Sequence, residues 1–215
     1  MGGLRKHLPV THGTFLAGTL AIAGVPLFSG FFSKDAILSR AFESGGRALW
    51  FCGVLTAVMT AFYMFRLYFL VFAGESRVEA GKKPHIHESP ASMTIPLSIL
   101  AALSVAGGWI GIPRALHGSD RLGAWLAAWG GHDESALSHA AEWTLMAASV
   151  GAAAIGIFLA HRLYLASPET SARLAERFAP LHGLLVRKYY VDELYDALFV
   201  RSLRRFSNWL WEFWD

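Results

Sequence analysis

The 215-residue sequence is 54% hydrophobic and 16% charged, well below the roughly 25% charged residues of an ordinary soluble domain. Its net charge of +3 comes from basic residues scattered at the ends of apolar blocks, not gathered on one face, so a nucleic-acid-binding role is rejected. A single cysteine, Cys52, rules out a disulfide framework and reads as a small buried apolar residue.

The opening Arg5-Lys6-His7 is basic, but the apolar stretch after it is too long for a signal peptide and lacks a small-residue cleavage pattern. Four blocks reach the roughly 20 residues of helix that a hydrocarbon core requires. They run from Thr14 to Phe32, Ala48 to Phe72, Ser92 to Ile112 and Glu142 to Leu163, and predict helices over about 11–42, 48–72, 90–112 and 142–165. The fold class is therefore an all-α integral membrane protein, with residues 1–165 as its transmembrane part.

The first block is not one regular helix. Pro26 removes a backbone donor and clashes with the preceding turn, while Gly24 and Gly30 permit non-helical backbone. Irregular backbone at membrane depth persists where it is buried in protein or lines a wet cavity, and interrupted helices of this kind mark ion sites in transporters. Helix is expected to restart near Ser33 as N-cap, with Lys34 and Asp35 in the first turn. There the positive end of the helix dipole and burial act against an ammonium while Asp35 favours it, a competition that poises Lys34 to gain and lose a proton. Intramembrane ionisable residues are functional by default. The patterning equally allows an ordinary helix that ends at the interface with Lys34-Asp35.

The second helix carries Arg66, which either joins a polar network near the site or snorkels and pairs with a neighbouring helix. His12, ahead of the first apolar run, is a candidate for proton entry. His85, His87 and Glu88 match no zinc spacing and read as a solvated loop, so no metal site is expected. Ser89-Pro90 marks the start of the third helix, and residues 113–139 form a long loop. His161-Arg162 closes the fourth helix.

Residues 166–215 change character: Leu181, Leu184, Leu185, Leu194, Leu198 and Leu203 recur at helical intervals among Tyr, Trp and Arg, with Pro180 and Gly183 as interruptions. This predicts an amphipathic helical segment at the interface or on a partner, and Trp209, Trp211 and Trp214 suit the interfacial zone. Arg5, Lys6, Arg77, Lys82, Lys83, Arg162, Arg173 and Arg177 fall on one side, against Arg40, Arg47, Arg114 and Arg121 on the other. The first side is the cytoplasmic one by the positive-inside rule, which puts the start and the tail inside.

Several stretches together resemble subunit L, the chain 5 type antiporter-like membrane subunit of NADH-quinone oxidoreductase (respiratory complex I). They are Met1 to Lys6, Leu20 to Pro26, Ser29 to Leu38, Phe62 to Tyr68, His87 to Pro90 and, most specifically, Tyr189 to Arg201. The resemblance covers nearly the whole chain and implies a C-terminal fragment of a longer multi-span protein, stopping within the lateral helix. It implies that Lys34, with neighbouring Asp35, is the proton-carrying lysine of the broken helix, in the half-channel facing the periplasm. It also implies a bacterial inner (plasma) membrane and proton translocation coupled to NADH oxidation and quinone reduction. NADH, FMN, the iron–sulfur clusters and quinone would reside in partner subunits, with no cofactor in this chain. The partners would be other membrane-arm subunits, reached through the lateral helix, and the lipid bilayer. Two alternatives remain: a large subunit of a multisubunit sodium/proton antiporter, and a structural clamp with no transport role.

Overall fold

The computed structural model describes residues 2–76, 86–112, 116, 118, 121–127 and 137–214. Among these the chain is helical without a β-strand, and it divides after Ser167 into two units. His85, Arg77, Lys82, Lys83 and Arg114, singled out above, lie outside the described residues.

In the first unit, helix α1 (Pro9–Ala23) starts on a proline at its first position, where the missing N–H costs no bond and the fixed φ suits a helix. It stops at Gly24, whose φ of 81° is open to glycine. The Gly24 amide donates to the Ala21 carbonyl at 3.0 Å and the Val25 amide to the Leu20 carbonyl at 3.1 Å, the crossed pair of a Schellman ending. Four residues later α2 (Ser29–Glu43) continues the path, and α3 (Arg47–Val71) returns after a three-residue turn. Then come α4 (Ala91–Ala106) with a tight final turn Gly107–Ile110, a short α5 (Arg121–Ala127) inside the stretch expected to be loop, and α6 (His139–His161), extended by one wide turn to Ala166.

Helices α3, α4 with its final turn, and α6 with its final turn are each long and apolar enough to cross a membrane. At 15 residues apiece, α1 and α2 each reach only about 22 Å, short of the ~30 Å core.

Side-chain contacts fix the directions. Phe42 of α2 meets Trp50 of α3 with ring centroids 5.9 Å apart, as a tight turn between antiparallel helices demands. Helix α1 is antiparallel to α3, with His12 against Tyr68 and Phe72 at one end and Ala23 against Ala61 at the other. Helix α6 runs the same way as α3: Gly156 faces Val58 and Ala61, and His161 faces Phe69 at 5.6 Å. Ala23, Ala61, Phe65 and Ala160 form the buried junction of α1, α3 and α6. Ala61 stands about 15 Å from the end of α3 at Val71 and about 21 Å from its start, so the end of α1 meets α3 near mid-length.

Small residues let α3 and α6 approach closely, which is how helices pack when lipid removes the hydrophobic drive to associate. A Cβ on Gly156 would lie 2.5 Å from the Val58 carbonyl oxygen and 2.8 Å from the Ala61 Cβ. Gly156→Val is expected to separate the helices at a cost of about 1–3 kcal/mol, read as a lower midpoint of thermal unfolding in detergent.

Two expectations need correcting. Cys52 is exposed on α3, whose buried residues are Ala57, Ala61 and Phe65. Gly183 does not interrupt the tail; it lies inside a helix.

The second unit comprises α7 (Pro168–Arg177), α8 (Ala179–Val186), α9 (Val191–Tyr195) and α10 (Arg201–Trp214), with a wide turn over Asp196–Val200 linking the last two. Pro180 opens α8, as a proline in a helix's first turn can. Lys188, Tyr189 and Tyr190 all have φ between 50° and 59°, a left-handed turn that separates α8 from α9. Ion pairs Arg173–Glu169, Lys188–Asp192 and Arg201–Asp196 line the polar side, while Leu181, Leu185, Leu194, Leu198, Leu203 and Trp209 are exposed apolar groups.

Candidate functional site

The break between α1 and α2 leaves backbone groups outside the helix ladders, so their partners define the site. The Leu20 and Ala21 carbonyls are used by the Schellman ending. The Ile22 carbonyl accepts from Lys34 Nζ at 2.5 Å, and the Leu27 carbonyl accepts from the indole N–H of Trp109 at 3.2 Å. Leu27 itself has φ 76°, a left-handed backbone that a leucine adopts only at a cost. Trp109 comes from the final turn of α4, where a Cβ on Gly108 would lie 2.6 Å from the Ser29 Cα. One end of α4 is thus pressed directly onto the break.

Gly24 and Pro26 lie in the break, as their chemistry requires, whereas Gly30 is the second residue of α2. Its missing side chain has another use: a Cβ there would stand 1.9 Å from the Ala21 carbonyl oxygen. That approach lets α2 begin at Ser29, directly against the end of α1. Ser33 is therefore not an N-cap; its hydroxyl donates to the Gly30 carbonyl at 3.3 Å inside the helix. Lys34 and Asp35 accordingly fall in the second turn of α2, past the first turn where they were expected.

From there the Lys34 side chain reaches back to the C-terminal end of α1, whose open carbonyls and negative dipole end favour a cation. It lines a cleft of about 400 Å³ with Gly18, Ala21, Ile22 and the hydroxyl residues Ser29, Ser33, Thr60 and Ser104. Among these lining residues Lys34 alone is titratable. Asp35 is only 5% exposed, and its Oδ1 is buried without a hydrogen-bond partner. Thr19, 1% exposed in α1, likewise has its hydroxyl buried and unpartnered.

The other singled-out residues lie elsewhere. Arg66 stacks its guanidinium on the Tyr164 ring, 5.2 Å from the centroid, and does not line the cleft. His12 lies in α1, within the predicted helix, and its Nε2 is 3.0 Å from the Tyr68 hydroxyl.

Glu88 was missed. Its carboxylate accepts from the Val10 amide at 2.8 Å, the Thr11 amide at 3.3 Å, the Thr11 hydroxyl and the Ser89 amide at 3.2 Å. It caps α1 from 77 residues away, and no local pattern announces such a contact. The Thr11 hydroxyl bond, then the Val10, Ser89 and Thr11 amides, hold the Glu88 carboxyl below its ordinary value. A depressed acid stabilises above its unfolded pKa, and that contribution disappears as pH falls through the folded one. Acidification, or Glu88→Ala at neutral pH, is expected to raise amide hydrogen exchange at Val10 and Thr11 several-fold relative to the mid-helix amides of α1.

The family described as "NADH:quinone oxidoreductase/Mrp antiporter, TM" matches residues 1–60, which hold α1, the break, α2 and the first half of α3. Over 99% of its length the chain is 44% identical to NAD(P)H-quinone oxidoreductase chain 5 of Picosynechococcus sp.. The similarity runs along nearly all of this chain. Two further relatives carry equivalent names. NAD(P)H-quinone oxidoreductase subunit 5, chloroplastic, of Mesostigma viride is 37% identical over 97% of the chain. NADH-quinone oxidoreductase subunit L of Neisseria meningitidis serogroup B is 33% identical over all of it. The chain spans about a third of the length of these chain 5 and subunit L relatives, 34%, 32% and 36% respectively.

Proposed function

We propose that this chain is part of a proton-translocating, antiporter-like membrane subunit of an NADH- or NAD(P)H-quinone oxidoreductase, with Lys34 as the proton carrier. The observation that carries the reading is an ammonium held on an open helix-end carbonyl, beside a hydroxyl-lined cleft, at a break near mid-length of the adjoining span. In its protonated form Lys34 donates to Ile22; on losing a proton it keeps N–H donors for the same carbonyl. The hydroxyls of Ser29, Ser33, Thr60 and Ser104 both donate and accept, so they suit relay of a proton to or from the amine. Asp35 adds a buried carboxyl group next to Lys34 in the sequence of α2.

In this reading α1 and α2 form one interrupted span beside the spans of α3, α4 and α6, and the second unit is the start of a lateral amphipathic helix docked on neighbouring membrane subunits. The end that gathers Arg5, Lys6 and Arg162 faces the cytoplasm, and the membrane is the plasma membrane of a bacterium. Redox chemistry belongs to other subunits: NADH, FMN, the iron–sulfur clusters and quinone bind there, and electron transfer drives the proton step here at a distance.

The family description also names the Mrp antiporter, so a sodium/proton antiporter subunit is the second reading. The relatives named as quinone oxidoreductases along the whole chain favour the first. Proton uptake during quinone reduction, measured in vesicles carrying the Lys34→Ala protein, tests the proposal; uptake at the parent rate overturns it.

A further inference from the structure

We infer that Glu142, in the first turn of α6, passes the proton between Asp35 and the aqueous face at that end of the bundle. The inference rests on the reading of Lys34 above and extends it to the far side of α2.

Its basis is the register of α2 against α6. Since α2 is antiparallel to α3 and α6 is parallel to it, α2 and α6 run in opposite directions. Phe31 and Phe32 of α2 are buried with Met146 of α6. One turn onward along α2 from Phe31, on the same helical face, stands Asp35; one turn back along α6 from Met146 stands Glu142. The two carboxyl residues are thus carried to the same level of the α2–α6 interface.

Asp35 is buried at 5% exposure with Oδ1 lacking any partner, whereas Glu142 is half-buried, between the interior and the helix start. That start is well formed: the Ser138 hydroxyl accepts from the Ala141 amide at 3.3 Å, and a first-turn carboxylate is favoured by the helix dipole. Among the described residues, the other charged or titratable groups toward this end include Lys34, Arg40 and Glu43 on α2, Arg47 opening α3, Arg121 opening α5, and His139 on α6. Arg40 and Glu43 pair with each other at 3.0 Å. Phe31, Phe32 and Met146, with Ile112 and Val150 packed against them, form an apolar cluster beside the pair.

The transfer balances without a further reactant. The Lys34 ammonium gives up a proton that is taken by the Asp35 carboxylate. The Asp35 O–H then breaks as an O–H forms on Glu142. Finally Glu142 releases the proton to water and returns to the carboxylate.

The test uses the intact, membrane-embedded oxidoreductase. Glu142→Gln is expected to slow proton release by about a hundredfold, the lower end of what a placed proton-transfer group supplies, with the complex assembled to parent levels. Glu142→Asp should recover most of the rate. The infrared carbonyl band that Asp35→Asn removes should shift its titration midpoint in Glu142→Gln, which a merely structural role would not cause. Parent-level pumping in Glu142→Gln, or an unmoved Asp35 band, overturns the inference. If Lys34→Ala abolishes pumping while Glu142→Gln does not, only this inference falls; if Lys34→Ala also pumps normally, the reading beneath it falls.

Discussion

Lys34→Ala in the intact oxidoreductase is expected to stop proton movement through this chain while the complex still assembles. The amine is the one titratable group among the residues that line the cleft at the break, so alanine leaves only hydroxyls, which hold no exchangeable charge near neutral pH. Loss of a placed proton-transfer group costs about 10²–10⁴ in the step it serves. Alanine also leaves the Ile22 carbonyl without its Lys34 donor, a cost of about 1–3 kcal/mol if water does not replace the bond. Because that penalty could weaken the break itself, Lys34→Arg is the sharper variant. A guanidinium keeps the cation and its donors beside the negative end of α1, yet does not deprotonate in proteins. The arginine protein should therefore fold and assemble as the parent does and still fail to pump. Normal proton uptake with arginine at this position would show that charge alone, and not protonation change, is what the site requires.

The break was legible because its causes are local. Pro26 has no N–H to continue the helix of the preceding turn and crowds that turn's carbonyl, and Gly24 is the residue that a left-handed helix ending selects. The apolar blocks of α3, α4 and α6 were legible for the same reason, since length and hydropathy are local sums. What escaped was every contact made through space. The restart at Ser29 depends on Gly30 meeting Ala21 across the break, so propensity alone placed it four residues late. Lys34 was set against the dipole of its own helix, whereas its side chain reaches the opposite pole of α1. The polar loop at Glu88 read as solvated, because nothing in Glu88-Ser89-Pro90 encodes the amides of Val10 and Thr11. Arg66 shows the same limit: its sequence position fixed the helix, but its stacking on Tyr164 follows from how α3 and α6 pack.

Gly30→Ala is the second large effect, and it separates the shape of the break from its chemistry. The added Cβ would lie 1.9 Å from the Ala21 carbonyl oxygen and 2.7 Å from its carbonyl carbon. Both are backbone atoms, so no rotamer relieves the overlap and one helix end must move. Overpacking of this kind costs about 1–3 kcal/mol or more. Withdrawing α2 from α1 also pulls Lys34 away from Ile22, so proton movement should fail together with thermal stability although every titratable group remains. Gly18→Ala is the matched control. It lines the same cleft, but its Cβ would meet nothing within 4 Å, and alanine inside a helix is favoured by about 1 kcal/mol. Stability and pumping should be retained there. If Gly30→Ala proves as harmless as Gly18→Ala, α2 does not start against the end of α1, and the Lys34 amine is not held where the open carbonyls are.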